Sequence, residues 1–450
     1  MDKRKYFYLL TILSALSFFC IHYLIERQES LYVVLSFFLL GICYLINIRY
    51  AQLIKLSAIV LIGILFRLIF FFNSPTLSED VYRYIWDGKL QQANIPIFSK
   101  TPKEILQNNT EDFTHENTLY LKLNSKEYYS VYPPVSQLLF YFISIPEDDT
   151  FQLNIIYFRL IIFTLEAIAL FFLFSLVKFN PHKNSLVALW WFNPLLIVEG
   201  TGNLHLEILV ASLLIISLYF IYRQSVNSSA LAWAFSFLIK LNPLIMLPAL
   251  SSYLSVKKIV WFAIIFCVIS LVFFSIYLNV SLVSGLEISL SYYFSKFEFN
   301  ASIYYLLRWI GYQLMGYNTI AILGPLLGIV TFAIIIGNTL IQWIKKKQVS
   351  FLMVVECMQS YYFVYLTFST TVHPWYVIPL VSLSAITKRI YPIAWSVLIP
   401  FTYIGYNEKG YSENYLLLFL EYGIVFMIFL FEKKYDLQSY LFPKLANNIN

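Results

Sequence analysis

Charged residues are scarce in this 450-residue chain, where Asp, Glu, Lys and Arg together make up 12%. Soluble proteins carry roughly 25% charged residues. Apolar residues make up 59%, and the mean hydropathy is +0.69. A soluble fold of this size could not bury that much apolar surface, whereas runs of roughly 18–25 apolar residues can span a bilayer. The scarcity of charge therefore argues against a soluble enzyme and predicts a helical membrane protein.

Cysteine is also scarce, and the four cysteines lie inside apolar runs at unrelated spacings. Such spacings indicate neither a disulfide framework nor a cysteine-based metal cluster. The net charge of +6 fits basic cytoplasmic loops and does not require a nucleic-acid partner. An obvious internal repeat is missing as well, which weighs against a transporter built from repeated halves.

The basic residues fall on alternate loops and set the predicted orientation. Basic residues at 3–5 precede the first apolar run, which places the N-terminus in the cytoplasm. We predict an all-α polytopic membrane protein with about twelve transmembrane helices and a half-helix pair, and with a large first outer loop, 74–133, that carries short helices.

Three parts are predicted along the chain. Residues 1–54 form an N-terminal transmembrane hairpin, residues 55–390 a catalytic membrane region that includes the outer loop, and residues 391–450 a C-terminal transmembrane pair with a cytoplasmic tail. In the second part, Lys-Leu-Asn-Pro interrupts an apolar run and predicts two half-helices that meet at Lys240. A broken helix at membrane depth is tolerated where it lines a protein cavity or water.

The unusual ionisable residues converge on the predicted outer face. Such groups are costly at membrane depth and usually mark a substrate pathway or a buried pair. A carboxylate backed by cations suits transfer of a sugar from a lipid phosphate, because the carboxylate takes a proton from the acceptor hydroxyl and the cations stabilise the departing phosphate. Plainer roles stay open: Asp80 and Lys240 as helix caps, His205 and His373 as ordinary hydrogen-bonding residues.

Six segments occur in this order: SEDVYRYIWDGKLQQANIPIFSKTP, VYPPVSQLLF, WFNPLLIVEGTGNLHLE, LIKLNP, FEFNASIYYLLR and TVHPWYVIPL. From about residue 55 to about 390 the chain resembles bacterial polytopic glycosyltransferases of the GT-C class, in particular the mannosyltransferase-like members. The resemblance implies a polyprenyl-phosphate sugar donor, a reaction on the non-cytoplasmic face, and an Asp base in the first large outer loop. The Asp-x-x-Arg-Tyr pattern of related enzymes matches Asp80, Arg83 and Tyr84. Glu79 stands where many relatives have Asp, so either carboxylate could be the base, and we favour Asp80.

The resulting hypothesis is an inverting membrane glycosyltransferase that moves a hexose, with mannose as the candidate, from a polyprenyl-phosphate carrier to a hydroxyl of a glycan, lipid or protein. The expected catalytic residues are Asp80 and Glu79, and the expected substrate-binding residues are Arg83, Lys240, Arg308, His205, His373 and Glu199. Arg83 could also brace a carboxylate one helical turn away. The neighbours of His373 in the Pro-Trp-Tyr sequence could pack a sugar or lipid.

The expected location is the bacterial inner (cytoplasmic) membrane, with the active site facing the periplasm or exterior. No cofactor is required with certainty; a divalent metal stays open, because a clear DxD pair is missing and Lys240 and Arg308 alone could hold the phosphate. Membrane lipid is an expected partner and nucleic acid is not. The alternatives are a transporter or flippase of lipid-linked sugars, and a polysaccharide polymerase or ligase.

Overall fold

The computed structural model describes residues 2–107, 117–145, 151–277, 296–345 and 349–443, together with Ile288. These residues form α-helices joined by short 3₁₀ and π-helical segments, and one small hairpin of two-residue strands. The all-α prediction is therefore confirmed for this part of the chain.

The helices of the N-terminal half are α1 Lys3–Tyr23, α2 Ser30–Tyr50, α3 Leu56–Leu68, α4 Asp80–Gln92, α5 Pro102–Gln107, α6 Asn117–Leu121, α7 Pro134–Ile143, α8 Phe151–Val177, α9 Lys183–Trp191, α10 Glu207–Tyr222 and α11 Val226–Ile239. The later helices are α12 Val256–Ile276, α13 Ile303–Met315, α14 Ile320–Ile344, α15 Phe351–Phe368, α16 Ile378–Thr387, α17 Tyr391–Leu398, α18 Tyr415–Phe431 and α19 Gln438–Leu441. Short 3₁₀ segments cover Ala51–Leu53, Asn242–Ser252, Pro374–Val377 and Ile399–Gly405; a π-helix covers Leu196–Gly202; and strands β1 Tyr406–Asn407 and β2 Gly410–Tyr411 pair antiparallel.

Six of these helices are long and apolar enough to cross a membrane: α1, α2 with its 3₁₀ extension, α8, α12, α14 and α15. A seventh crossing is added if the π-helix and α10, which meet at a bend of 110°, form one span. Several other predicted spans are shorter apolar helices; α3, for example, has 13 residues and is about 20 Å long at ~1.5 Å per residue. An integral membrane protein is confirmed, but the described residues do not confirm about twelve spans.

Helix α10 lies at the centre of the bundle. It packs against α8, α11 and α16, and twelve of its sixteen residues are buried. A helix that is apolar on all sides and buried belongs to a protein interior, whereas the outer helices α12 and α14 leave most of their apolar side chains exposed. The first residues of α10 are therefore held in place by the neighbouring helices and can position polar side chains.

The predicted break at Lys240 is confirmed. Helix α11 ends at Ile239, Lys240 has an extended backbone, and Asn242–Ser252 continues as a 3₁₀ segment that contains Pro243 and Pro248. Proline has no backbone N–H to donate, so a regular α-helix cannot continue through these positions. That the two pieces enter and leave the same side of the membrane stays a prediction.

A buried ion pair joins α3 to α8. The Arg67 guanidinium donates to both carboxylate oxygens of Glu166, at 3.0 and 2.6 Å, and both side chains are fully buried. The guanidinium carbon also lies 3.6 Å from the centre of the Trp191 ring on α9. Because both charges are paired, they can stay buried. The network therefore holds α3, α8 and α9 together beside the π-helix.

Candidate active site

Helix α4 begins at Asp80, so its carboxylate lies at the positive end of the helix dipole. The Ser78 hydroxyl accepts a hydrogen bond from the Asp80 amide at 3.3 Å, and Asp80 Oδ1 accepts one from Asn124 at 3.3 Å. Asp80 Oδ2 lies 3.5 Å from His205 Nδ1, and about a quarter of the Asp80 side chain is exposed (24%). This carboxylate is held in place but is still open to a ligand.

The neighbouring carboxylate, Glu79, has a different partner. It forms an ion pair with Arg27 from the loop between α1 and α2, with one contact of 2.8 Å between Arg27 Nη1 and Glu79 Oε2. The same guanidinium lies 4.7 Å from the centre of the Tyr406 ring. A cation therefore neutralises Glu79, whereas Asp80 faces a histidine.

Arg83 braces the outer segment. It is buried, and its Nε donates to Asp87 at 2.7 Å while Nη1 donates to the carbonyl groups of Ser125 and Tyr128 at 3.1 and 2.9 Å. Asp87 also accepts hydrogen bonds from Ser130 and Gln137. The expected brace on a carboxylate is present, but it holds Asp87 and not Asp80.

The ring of His205 lies between two carboxylates. Its Nδ1 faces Asp80, and its Nε2 lies 3.4 Å from Glu199 Oε2. Glu199 is fully buried and accepts hydrogen bonds from Asn203 at 3.0 Å and from the Tyr403 hydroxyl at 2.5 Å. Of the two carboxylates at this histidine, only Asp80 can be reached from outside the protein.

An unusual backbone positions Glu199 and His205. Glu199 lies in the π-helix Leu196–Gly202, a form that occurs mostly as single turns at functional sites. Leu204, directly before His205, has a φ of +65°, which strains a residue that has a side chain by about 1–2 kcal/mol. Arg159 donates to the carbonyl groups of Thr201 and Gly202 at 3.1 and 2.8 Å and so fixes this turn from α8.

Lys240 lies on the other side of this region, at the break after α11. Its Nζ forms an ion pair with Glu207, the first residue of α10, and lies 4.4 Å from the centre of the Tyr376 ring. The Lys240 side chain is 28% exposed, whereas the Glu207 side chain is buried. An anion can therefore approach Lys240 from the exposed side.

His373 and Trp375 form a stack with His205. The Trp375 ring lies 3.5 Å from the His205 ring at 12° and 4.5 Å from the His373 ring at 4°, so histidines cover both of its faces. Burial and, to a smaller extent, the positive charge of Lys240 together lower the pKa of His373 to about 3. The expectation that Trp375 packs a sugar is not supported, since neither face is free.

Arg308 belongs to a separate network at α13. It forms an ion pair with Glu298, donates to the Tyr415 hydroxyl at 2.9 Å and lies over the Tyr305 ring. These contacts do not bring it to Lys240 or Asp80. The structure thus groups Asp80, Glu199, His205, Lys240 and His373, and it sets Arg308 and Arg83 apart in networks of their own.

An apolar cavity of about 600 Å³ lies between the 3₁₀ segment Asn242–Ser252, α12, α14 and α15. Its lining includes Ser369 and Thr370, which directly precede the loop with His373, and Tyr365 of α15. Tyr365 is also within electrostatic reach of Lys240 and Glu207. The cavity therefore has a lining residue, Tyr365, in common with the surroundings of the Lys240–Glu207 ion pair.

The carboxylates do not converge on a point where a metal ion could sit. Asp80 and Glu199 lie against opposite nitrogens of His205, with the ring between them. Among the residues that the structure describes, no group of three or more His, Cys, Asp or Glu side chains could hold a metal ion. A divalent metal is therefore left out of our proposal.

Sequence reasoning did not select Arg27 or Tyr403 as site residues. They lie before and after the predicted catalytic region 55–390, and each binds one of the expected site carboxylates. Tyr403 is one of 36 tyrosines, so residue type alone could not single it out. Arg27, in the first turn that is predicted to lie outside, was a weak signal, since an arginine there breaks the predicted bias of basic residues toward the cytoplasm.

Comparison with known families identifies the family of this chain. The model of the MptA_B family, described as alpha-(1->6)-mannopyranosyltransferase, N-terminal domain, matches residues 14–255. No curated protein matches the chain significantly. The family match covers more than half of the chain and includes Asp80, Glu199, His205 and Lys240, so the chain belongs to the MptA_B family and is an integral membrane glycosyltransferase of the mannosyltransferase type.

Proposed function

We propose that this enzyme transfers mannose from a polyprenyl-phosphate carrier to an acceptor hydroxyl on the non-cytoplasmic face of the membrane, with Asp80 as the general base. One observation carries the proposal: a partly exposed carboxylate, Asp80, and the ion pair of a partly exposed ammonium, Lys240, both act on one buried phenol, Tyr84, and an apolar cavity has a lining residue, Tyr365, within electrostatic reach of that ammonium. A lipid-phosphate sugar needs these three environments.

The proposed base and the Lys240–Glu207 ion pair share one neighbour, Tyr84. Burial, with the neighbouring Tyr132, Asp80 and Glu207, raises the pKa of the Tyr84 phenol well above its ordinary value. Since Asp80 and Glu207 both act on this phenol, the base and the Lys240–Glu207 ion pair are both close to Tyr84. A sugar whose phosphate meets Lys240 would reach toward Asp80.

The apolar cavity suits the carrier chain. Burying apolar surface is worth about 25 cal/mol per Å², so a prenyl chain in this cavity would supply much of the donor affinity. The phosphate would then compete with Glu207 for Lys240, whose exposed side is free to receive it. Lys240 stabilises the negative charge that grows on the phosphate as it leaves.

The chemistry is a single displacement. The acceptor oxygen bonds to C1 of the sugar while its proton passes to Asp80, and the C1–O bond breaks with its electron pair going to the phosphate oxygen. The family description specifies an alpha-(1->6) mannosyl linkage. An inverting displacement that gives this product would use a β-linked mannosyl phosphate and a 6-hydroxyl as acceptor.

The test is a donor panel. Purified protein would be offered polyprenyl-phosphate mannose, polyprenyl-phosphate glucose and GDP-mannose with a mannoside acceptor, and transfer and slow hydrolysis would be followed. We expect turnover with polyprenyl-phosphate mannose. Turnover with GDP-mannose alone would contradict the proposed donor, and binding of the lipid-linked sugar with neither transfer nor hydrolysis would favour a transporter.

A further inference from the structure

The surroundings of His205 bear on how many protons its imidazole ring carries. Its two ring nitrogens are buried, make no regular hydrogen bond within the described residues, and each faces a carboxylate oxygen at 3.4–3.5 Å. Carboxylates only accept hydrogen bonds, and a neutral imidazole has one N–H. A neutral His205 would therefore turn a lone pair toward either Asp80 or Glu199.

Only the doubly protonated imidazolium can donate to both carboxylates. The distances are those of ion pairs, and active-site hydrogen bonds are often long without substrate and tighten when it binds. The two carboxylates compensate the charge of the ring from opposite sides, so the positive charge can stay buried.

The stacked rings favour the same protonation state. His205 lies flat on Trp375, and a cation over an indole face is stabilised by the negative charge density of the ring. On the other face of Trp375, burial and the charge of Lys240 lower the pKa of His373 to about 3, so that ring is neutral at physiological pH. An imidazolium at His205 would thus be the single positive charge of the three stacked rings.

We propose that His205 is a positioning residue: as an imidazolium it holds the Asp80 carboxylate in the orientation that accepts the acceptor proton. Glu199 holds the far side of the ring, because Tyr403 and Asn203 fix this carboxylate and it is buried. Asp80 Oδ2 then faces the ring, and Oδ1 is left toward Asn124 and the exposed side. This proposal rests on the proposed function, in which Asp80 is the base.

The proposal predicts a change in pH dependence. The titratable groups around His205 are Asp80 from α4 and Glu199 from the π-helix, with His373 on the other face of Trp375 and the Lys240–Glu207 pair within electrostatic reach of His373. Removing a positive charge beside a carboxylate makes that carboxylate easier to protonate. The acid limb of the pH profile of kcat/KM should therefore move to higher pH when His205 is replaced by a neutral residue.

The experiment uses the full chain with polyprenyl-phosphate mannose and a mannoside acceptor. His205→Gln should lower kcat by about tenfold to 100-fold, as expected for a base displaced by about 1 Å, with little change in the KM for the donor. The control is His22→Gln. His22 is also buried, has an unpartnered Nε2 and packs against an aromatic ring, Phe70, at 4.7 Å, but it lies at the end of α1. We expect the control to keep the wild-type acid limb.

A second variant keeps the test decisive if His205→Gln does not fold. Glu199→Gln removes the carboxylate that holds the far side of the ring, and it should lower kcat with little change in the KM for the donor, because the ring no longer fixes Asp80. An unmoved acid limb in folded His205→Gln protein, or a raised donor KM with unchanged kcat in either variant, would overturn the positioning role. Failure of the proposed function looks different, because wild type would then neither transfer nor hydrolyse the donor.

Discussion

Two adjacent carboxylates in this protein differ through their partners. Arg27 pairs with Glu79 and Tyr406 covers the guanidinium, whereas Asp80 begins a helix and faces His205. The side chains are chemically alike, so their roles follow from what each one contacts. The sequence offered both as candidates, and the contacts support Asp80.

Asp80→Asn should lower mannosyl transfer by about 100-fold or more, because the amide keeps the shape of the side chain but cannot accept the proton. Glu79→Gln is the matched control and should have a smaller effect, since its oxygen can still accept from Arg27. Initial rates at saturating donor would measure both. Loss of transfer in Glu79→Gln with near-normal transfer in Asp80→Asn would reverse the roles, and normal transfer in both would remove the motif from catalysis.

Lys240→Met should raise the donor KM or lower turnover by at least about tenfold, about 1.4 kcal/mol, because the departing phosphate loses its cation. Arg308→Met is the comparison, since sequence reasoning chose both cations. We expect a smaller effect there, because Arg308 is committed to Glu298 and Tyr415. Steady-state kinetics with varied donor would separate the two, and unchanged kinetics in folded Lys240→Met protein would reduce Lys240 to a helix cap.

At the scale of elements, helices α4 and α7 pack at very close range. A Cβ atom added to Gly88 of α4 would lie 2.1 Å from the Phe140 carbonyl oxygen and 2.1 Å from the Ser144 hydroxyl. The carbonyl belongs to the backbone and cannot rotate away. Gly88 is thus required for the contact that positions the helix starting at Asp80.

Gly88→Ala should destabilise the protein by about 1–3 kcal/mol, the usual range for overpacking, and should lower transfer by displacing α4. Gly337→Ala is the control: Gly337 lies in α14, and a Cβ there would meet nothing within 4 Å. Alanine favours helix over glycine, so this control should be neutral or slightly stabilising. Thermal unfolding in detergent would compare them, and equal midpoints would mean that α4 and α7 can separate without cost.

Sequence patterns predicted an element whose cause lies nearby in the sequence and missed one whose cause lies far away. The break at Lys240 was visible because Pro243 follows three residues later, and proline acts on its own neighbours. The π-helix Leu196–Gly202 was not visible, because its sequence, LIVEGTG, resembles the end of an apolar helix followed by a polar loop. Arg159 stabilises this turn by donating to two of its carbonyl groups, and Arg159 lies about 40 residues earlier in the chain.

At the scale of the whole molecule, the site is assembled from distant parts of the chain. Arg27, Asp80, Glu199, Trp375 and Tyr403 all contribute, and the last two lie beyond the matched residues 14–255. Composition sufficed to predict a helical membrane protein, because hydropathy is a sum over the chain. Partners such as Tyr403 could not be predicted, because they depend on packing between distant segments.

The side of the membrane that carries the site is open to a direct test. In a variant without the four native cysteines, Glu127→Cys should react with an impermeant maleimide in intact cells, because the outer loop is predicted to face outside. Lys257→Cys, on a predicted cytoplasmic turn, is the control and should react only after lysis. Both positions are exposed. The reverse labelling pattern would overturn the orientation and place the site in the cytoplasm.

The buried pair between Arg67 and Glu166 also bears on how the protein is made. The two residues are 99 positions apart, so Arg67 leaves the ribosome well before its partner exists. At ~5–20 residues per second the delay is about 5–20 s. An unpaired arginine in a membrane helix costs about 2.5–3.5 kcal/mol on insertion scales. We therefore expect α3 to remain at the translocon or near the bilayer surface until α8 has been synthesised. It can then insert fully into the membrane, because Glu166 is available to pair with Arg67.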